Sequence, residues 1–223
     1  MSTPLVHVSE IGDDGVGVLT LDRPDRKNAL SIALRDQMSD ALDALAADER
    51  LRALVITGAG DTFSAGFDLD EFTKPELADE LWASSDRWHR TIIEFPLPTV
   101  AAVNGGAYGG GFDLAVMCTL RVVAATARFA HPEHAFSQVV YAPLHDLVGG
   151  SVARDLALTG RRVDAEEALT LGVANRVVPR EDVVGAARAV AAEIALAPRD
   201  TLLLMTAKIR RRARITADAT LDL

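Results

Sequence analysis

Cysteine is nearly missing from this chain of 223 residues, where Cys118 stands alone. One thiol cannot close an internal disulfide and offers a metal site a single thiolate at most, so a reducing, cytoplasmic setting is the simplest expectation. Long hydrophobic runs are missing too. Nothing approaches the ~18 uninterrupted apolar residues of a membrane-spanning helix, and no membrane partner is expected. The opening MSTPLVHVSEIGDDG has no basic stretch leading into an apolar core, so no signal peptide is expected. Internal repeats, low-complexity tracts and long linkers are absent. Positive charge is in deficit: 23 Lys and Arg stand against 32 Asp and Glu, a net charge of −9. That balance argues against nucleic acid as a partner, because phosphate backbones require a cationic face.

Apolar residues make up 49% of the chain, enough for a substantial core, and the length fits one domain or one domain with an appendage. Alternation over Val16–Asp22 predicts a strand, with Leu5–Ile11 as its partner across the Gly-Asp-Asp-Gly turn. Ser31 is placed to cap a helix through about Ala46. Continuous apolar runs predict buried strands at Ala53–Thr57 and Thr99–Asn104, with a loop, GAGDTFSAGFD, after the first. A helix is predicted from Glu76 to Glu94, ended by Pro96 and Pro98. Short strands are predicted at Leu120–Ala124 and Arg128–Ala130. Helices follow at Asp146–Leu158, Asp164–Leu171, Glu181–Leu196 and Asp200–Arg212. Strands alternating with helices, then helices alone, indicate an α/β fold with a helical C-terminal appendage. The segment Met205–Arg214 gathers Lys208, Arg210, Arg211, Arg212 and Arg214 without an acid, either as a solvated helix face or as a local phosphate contact.

Five glycines fall between Gly105 and Gly111 after the second buried strand. A dinucleotide fingerprint needs glycine at i, i+2 and i+5; Gly109 and Gly111 supply the first two, but Leu114 occupies the third. No Gly-Lys pair exists for a Walker loop. The glycines serve either tight strand–helix packing or close approach of backbone N–H groups to a ligand at a helix N-terminus. Such N–H groups can hold an oxygen anion forming on a carbonyl. Asp113 lies just inside the following helix and Glu133 follows Pro132. Two carboxyl groups facing one cavity can divide acid and base roles, since each perturbs the other; apart from that they are a helix-start charge and a loop carboxylate.

The segments RPDRKNAL, FSAGFDLDEF, PTVAAVNGGAYGGGFDLAVMCTLRVVAATARFAHPE and LALTGRRVDAEEALTLGVANRVVP resemble, in order and mostly in spacing, the crotonase or enoyl-CoA hydratase/isomerase family. The resemblance covers about residues 4–212. It implies repeated ββα units, a core with an acyl-CoA site over residues 1–180, and a shortened helical region over 181–223. It implies an acyl-CoA thioester as ligand, with coenzyme A as part of the substrate and neither a metal nor a separate cofactor. The backbone N–H groups of Phe67 and Gly110 match the family's oxyanion hole. Arg23, Arg26, Lys27 and Ala29 match the basic stretch near coenzyme A. Ala65, Phe67, Asp68, Leu69 and Asp70 match the segment along its thiol arm, and Gly109 and Gly110 the turn beside the thioester.

Glu133 matches the family's proton-transferring acid and Asp113 its second acid, where hydratases carry Glu. The Asp/Glu pair resembles the dienoyl-CoA isomerases, but their third acid corresponds to Tyr141; a monoenoyl isomerase needs only Glu133. After Pro-Glu, HAFSQVVYAPLHDLVGG replaces the family's glycine-rich run, and the C-terminal helices are shorter. The implied activity is hydration or isomerisation of an enoyl-CoA, with an acyl-CoA binder of little activity as the alternative. A homotrimer or hexamer is also implied. His131, Glu133, His134 and His145 lack the HExxH spacing of a metal site. Ser151, in a near-match to GxSxG, reads as an early helix residue. His89 reads as a partly buried helix histidine, and Trp82 and Trp88 as core or interface.

Overall fold

The computed structural model describes residues 4–215 together with Thr220 and Leu223. Val6–Val8 (β1) and Val16–Leu21 (β2) pair antiparallel, with Val6 opposite Leu21 and Val8 opposite Leu19. β1 is shorter than the predicted 5–11: Ser9 N–H still bonds Val18 O at 2.8 Å, but Val18 N–H goes to the Ser9 hydroxyl at 3.0 Å, and the regular ladder ends at Val8. Ile32–Ala47 (α1) begins where expected: the Ser31 side chain accepts from Leu34 N–H at 3.3 Å. Ala53–Gly58 (β3) is buried at all six positions, as a strand covered on both faces must be.

Thr62–Ser64 (β4) lies inside the stretch predicted as a loop. Leu69–Phe72 (α2) and Ala78–Ile93 (α3) follow. Thr99–Val103 (β5) is buried throughout, and Gly106–Tyr108 (β6) sits within the glycine run. Gly110–Met117 (α4), Leu120–Ala124 (β7) and Arg128–Ala130 (β8) come next. Ala142–Thr159 (α5) is interrupted at Gly149, whose φ of 73° is non-helical; Ser151 lies just beyond this break, early in the second segment. The chain ends through Val163–Asp164 (β9), Ala165–Leu171 (α6), Arg176–Val178 (β10), Val183–Ala195 (α7) and Arg199–Ala213 (α8).

The strands form two sheets. The larger runs β1-β2-β3-β5-β7-β10 and is parallel from β2 onward. The smaller runs β4-β6-β8-β9, with β4, β6 and β8 parallel. Three turns of the chain, through β3-β4, β5-β6 and β7-β8, thus give one strand to the large sheet, the next to the small sheet, and then a helix, whereas β9 of the small sheet and β10 of the large sheet are separated by α6. This is the repeated ββα unit. In the first turn Leu30, bridged to Phe67, takes the place of the second strand.

The core joins Leu19, Leu34, Val55, Ile56, Trp88, Phe112 and Phe129, all fully or almost fully buried. Each large apolar side chain removed from water contributes ~1.5–3 kcal/mol. Val183, Ala187, Val190, Ala191 and Ala195 of α7 join the same core, and α7 touches β2, β3, β5 and β7. The boundary drawn at residue 181 therefore marks a change of element type, and the core runs on through it.

Candidate active site

The site is built where three short parallel strands end together. β6 and β8 pair with Tyr108 opposite Ala130, so Gly109 and His131 leave the sheet side by side, and Gly109 N–H bonds Ala130 O at 3.0 Å. β4 ends beside them, with Ser64 opposite Ala107. Ligands of parallel sheets gather at such carboxyl ends. The glycines here are required by space. A side-chain carbon on Gly66, at φ 88°, would lie 2.6 Å from Tyr108 O. On Gly109, at φ 51°, it would meet the Glu133 carboxylate at 3.0 Å. The acid predicted from the sequence thus lies directly over the glycine turn.

Phe67 and Gly110 present their N–H groups at this point. Leu30 N–H donates to Gly66 O at 2.8 Å, and Asp68 N–H reaches Leu30 O at 3.5 Å. In a parallel bridge the flanking residues 66 and 68 make these bonds, so the N–H of Phe67 itself points the other way. Gly110 is the first residue of α4 and has no intrahelical acceptor. Among the described residues neither N–H has a protein partner. The two peptides adjoin, since a side-chain carbon on Gly66 would stand 3.2 Å from Gly110 N.

A cavity of about 380 Å³ opens here. Ala65, Gly66, Phe67, Gly109, Gly110, Asp113 and Glu133 line its polar end. Leu69, Phe72, Trp82, Phe136 and Val140 make its wall, and His89 and Thr220 also border it. The segment that replaces the expected glycine-rich run still shapes the cavity, through Phe136, Ser137, Gln138 and Val140. Trp88 is core, whereas Trp82 faces the cavity. His89 is more deeply buried than expected, at 1% exposure. Its Nδ1 lies 2.9 Å from Ser85 O and 3.1 Å from Thr220 Oγ1, and burial holds its pKa below the ordinary value.

Glu133 is half-buried on a short 3₁₀ turn, Pro132–Ala135. Burial first, and the charge of Asp113 second, push its pKa up to about 7, against the pull of His131. Asp113 is 4% exposed, and its Oδ1 lies 2.8 Å from His131 Nε2. Burial pulls His131 down, but the charge and hydrogen bond of Asp113 outweigh it and raise the imidazole pKa. One ligand atom each of Asp113, His131 and Glu133 lies within 4.8 Å of the others. The 2.8 Å contact is a hydrogen-bond spacing, since two ligands of one tetrahedral zinc stand ~3.4 Å apart. His134 turns away, its Nδ1 lying 3.0 Å from His131 O, and His145 packs against Tyr141 with ring centroids 5.5 Å apart.

The basic stretch folds onto the segment after β4. Arg23 pairs with Asp68 at 2.6 Å, and Arg26 with both Asp68 and Asp70. Burial pushes Asp68 up, but the Arg23 hydrogen bond and the surrounding cations hold it below the usual carboxylate range. Ala65 N–H bonds Lys27 O at 2.9 Å, and Ala29 is buried below. Lys27 is exposed and has no ion pair among the described residues. Leu69 and Asp70 are exposed at the rim.

Two residues were missed in the sequence. Arg35 is fully buried, donates to Leu30 O at 2.6 Å, and sits 4.7 Å from the centre of the Phe67 ring. Its place one position from Leu34, on the stripe continued by Ser39 and Leu42, marks it as inward-facing. The sequence offers His131 only as a metal ligand, and its pairing with Asp113 has no local sequence signature.

The family model for enoyl-CoA hydratase/isomerase matches residues 12–223. The Mycobacterium bovis protein named "Probable enoyl-CoA hydratase echA8" is 37% identical over 186 residues, covering 82% of this chain and 72% of that protein. The crystal structure of an enoyl-CoA hydratase from Bacillus anthracis superposes with a TM-score of 0.89 at 27% identity, covering 96% of this chain and 85% of that one. A monofunctional enoyl-CoA isomerase from M. smegmatis superposes at 0.82 and 28% identity, covering 96% of each chain.

Proposed function

Because the chain belongs to the enoyl-CoA hydratase/isomerase family, we propose that its cavity takes an acyl-CoA thioester and that the protein hydrates or isomerises the enoyl group. The observation that carries this reading is the convergence of two backbone N–H groups without a partner among the described residues, Phe67 and Gly110, with a carboxyl poised near neutrality, Glu133, at one end of an apolar cavity. The thioester oxygen accepts from both N–H groups, and the bonds strengthen as an enolate forms. The N-terminus of α4 adds its partial positive charge. With a pKa of about 7, Glu133 can both give and take a proton at the α or γ carbon. Asp113 orients a water for addition or holds the second proton in isomerisation.

Only proton transfers and charge stabilisation are needed, and the chain's own groups supply them. Lys27 is our first choice for the phosphates of coenzyme A, while Arg23 and Arg26, tied to Asp68 and Asp70, hold the segment carrying Phe67 in place. We assign the protein to the cytoplasm; Cys118 is buried and free, its thiol pushed by burial to about 11. No helix among the described residues is long and apolar enough to cross a membrane. We also assign a homotrimer or hexamer, on the exposed apolar residues Leu204, Met205 and Ile209 of the basic helix α8.

The test is Glu133→Gln against a panel of enoyl-CoA thioesters, followed for water addition and for double-bond migration. Turnover should be lost while binding of coenzyme A thioesters, measured by calorimetry, stays near wild type. Unchanged turnover refutes the assignment.

A further inference from the structure

We propose that His131 is the positioning residue for Asp113, fixing which carboxylate oxygen is left for the cavity; the inference rests on the role given to Asp113 above. His131 is 1% exposed, and its Nε2 stands 2.8 Å from Asp113 Oδ1. A carboxylate can only accept, so the bond places the proton of the pair on Nε2. The ring is held on both sides of this bond. Phe112 stacks on it at 4.7 Å between centroids and 27° between planes. Its backbone is anchored where Ala130 O takes Gly109 N–H and where His131 O takes His134 N–H at 3.2 Å. Among the described residues Nδ1 has no partner, so the polar contact of this imidazole is committed to Asp113.

The consequence for Asp113 is orientational. The last torsion of an aspartate side chain is broad, and a carboxylate 4% exposed without a donor would be a buried unpaired charge. Held through Oδ1, it turns its other oxygen toward the cavity that Asp113 lines. His131 is joined through Pro132 to Glu133, so one short segment aims both acids. This is the logic of a base held in place by a third group.

The test uses two variants of the full chain. His131→Leu removes the donor at similar bulk, and His131→Gln restores an N–H at nearly the same reach. Leu should lower kcat roughly 10–100-fold, the cost of a misaimed group, while KM changes by less than about threefold and circular dichroism is unaltered. Gln should recover kcat to within about fivefold of wild type. Wild-type kcat in the Leu variant, or a Gln variant as slow as the Leu variant, overturns the proposal. Proton NMR reads the pair without turnover. A slowly exchanging downfield imidazole N–H should appear in wild type and vanish in Asp113→Asn, and its absence from wild type also overturns the proposal. If that proton is present but no enoyl thioester is turned over, the reaction assigned above fails while the pair stands.

Discussion

Glu133→Gln should stabilise the folded protein at alkaline pH while it abolishes turnover. The carboxyl is half-buried against Gly109, and burial together with the charge of Asp113 raises its pKa from the ordinary 4.5 to about 7. At ~1.36 kcal/mol per tenfold change in proton affinity, this displacement sets a ceiling of ~3 kcal/mol. Solvent reaching the exposed part of the group reduces the expected effect to about 1–2 kcal/mol. The sign follows from the raised pKa. The favourable contribution is complete below the unfolded value, is lost as pH rises through the folded value, and is gone above about 7. Glutamine is neutral at every pH and keeps the shape of the protonated acid. Urea unfolding at one protein concentration, at about pH 4 and about pH 8, measures the difference. The variant should match wild type at the acid end and exceed it by about 1–2 kcal/mol at the alkaline end, about 4 °C in Tm for a chain of this size. Equal differences at both pH values would show that Glu133 ionises freely, and would remove the reason for giving it the proton-transfer role.

Gly110→Val should lower kcat by about two orders of magnitude with cooperative unfolding retained, because even the first added carbon stands 3.2 Å from the Phe67 ring and Leu30, and losing one oxyanion donor costs ~3 kcal/mol. A folded variant with wild-type rates would place the thioester elsewhere. Light scattering at micromolar concentration should give a multiple of the 23.8 kDa chain mass; a constant mass near 24 kDa across a dilution series would refute assembly through α8 or any other face.

What was legible in the sequence depended on the local pattern of each element. α1, α3, α7 and α8 fall within a few residues of their predicted bounds because each repeats its apolar positions over several turns, and Ser31 marks the first of them; the two-turn α6 is bounded by Asp164, which caps Glu167 N–H, and by Gly172. β3 and β5 are continuous apolar runs and read directly. β8, of three residues, reads at its exact bounds, but β4 and β6 do not, since β4 lies inside a glycine-bounded loop signal and β6 is Gly-Ala-Tyr inside a glycine run. Their strand character comes from partners distant in sequence: β6 is fixed by hydrogen bonding to β4 and β8 on either side. The small sheet is a tertiary result, and it is the sheet that carries the site.

The same distinction orders the site residues. Phe67, Gly110, Asp113 and Glu133, the residues proposed for the site, were marked by the family resemblance, because the pattern at each is local: an N–H after a glycine, a glycine at a helix start, an acid at a fixed offset. Arg35 and His131 were not, because their work is done across the fold. The Arg35 guanidinium, drawn down to about 10 by burial, holds Leu30 O from α1, and Leu30 in turn holds the two peptides that flank Phe67. A buried cation is costly without a direct carboxylate partner, and among the described residues Arg35 has none; it donates to Leu30 O, to Leu81 O at 3.2 Å and to Ser84 Oγ at 3.3 Å, so it ties the Leu30 backbone to α3. His131 does the corresponding work for Asp113 from the end of β8. Two of the groups proposed to touch substrate, the Phe67 N–H and Asp113, are therefore each backed by a buried polar side chain from a different ββα unit. That arrangement ties the site's geometry to the packing of the whole core, so conservative changes at Arg35 or His131 should be felt in kcat before they are felt in substrate binding.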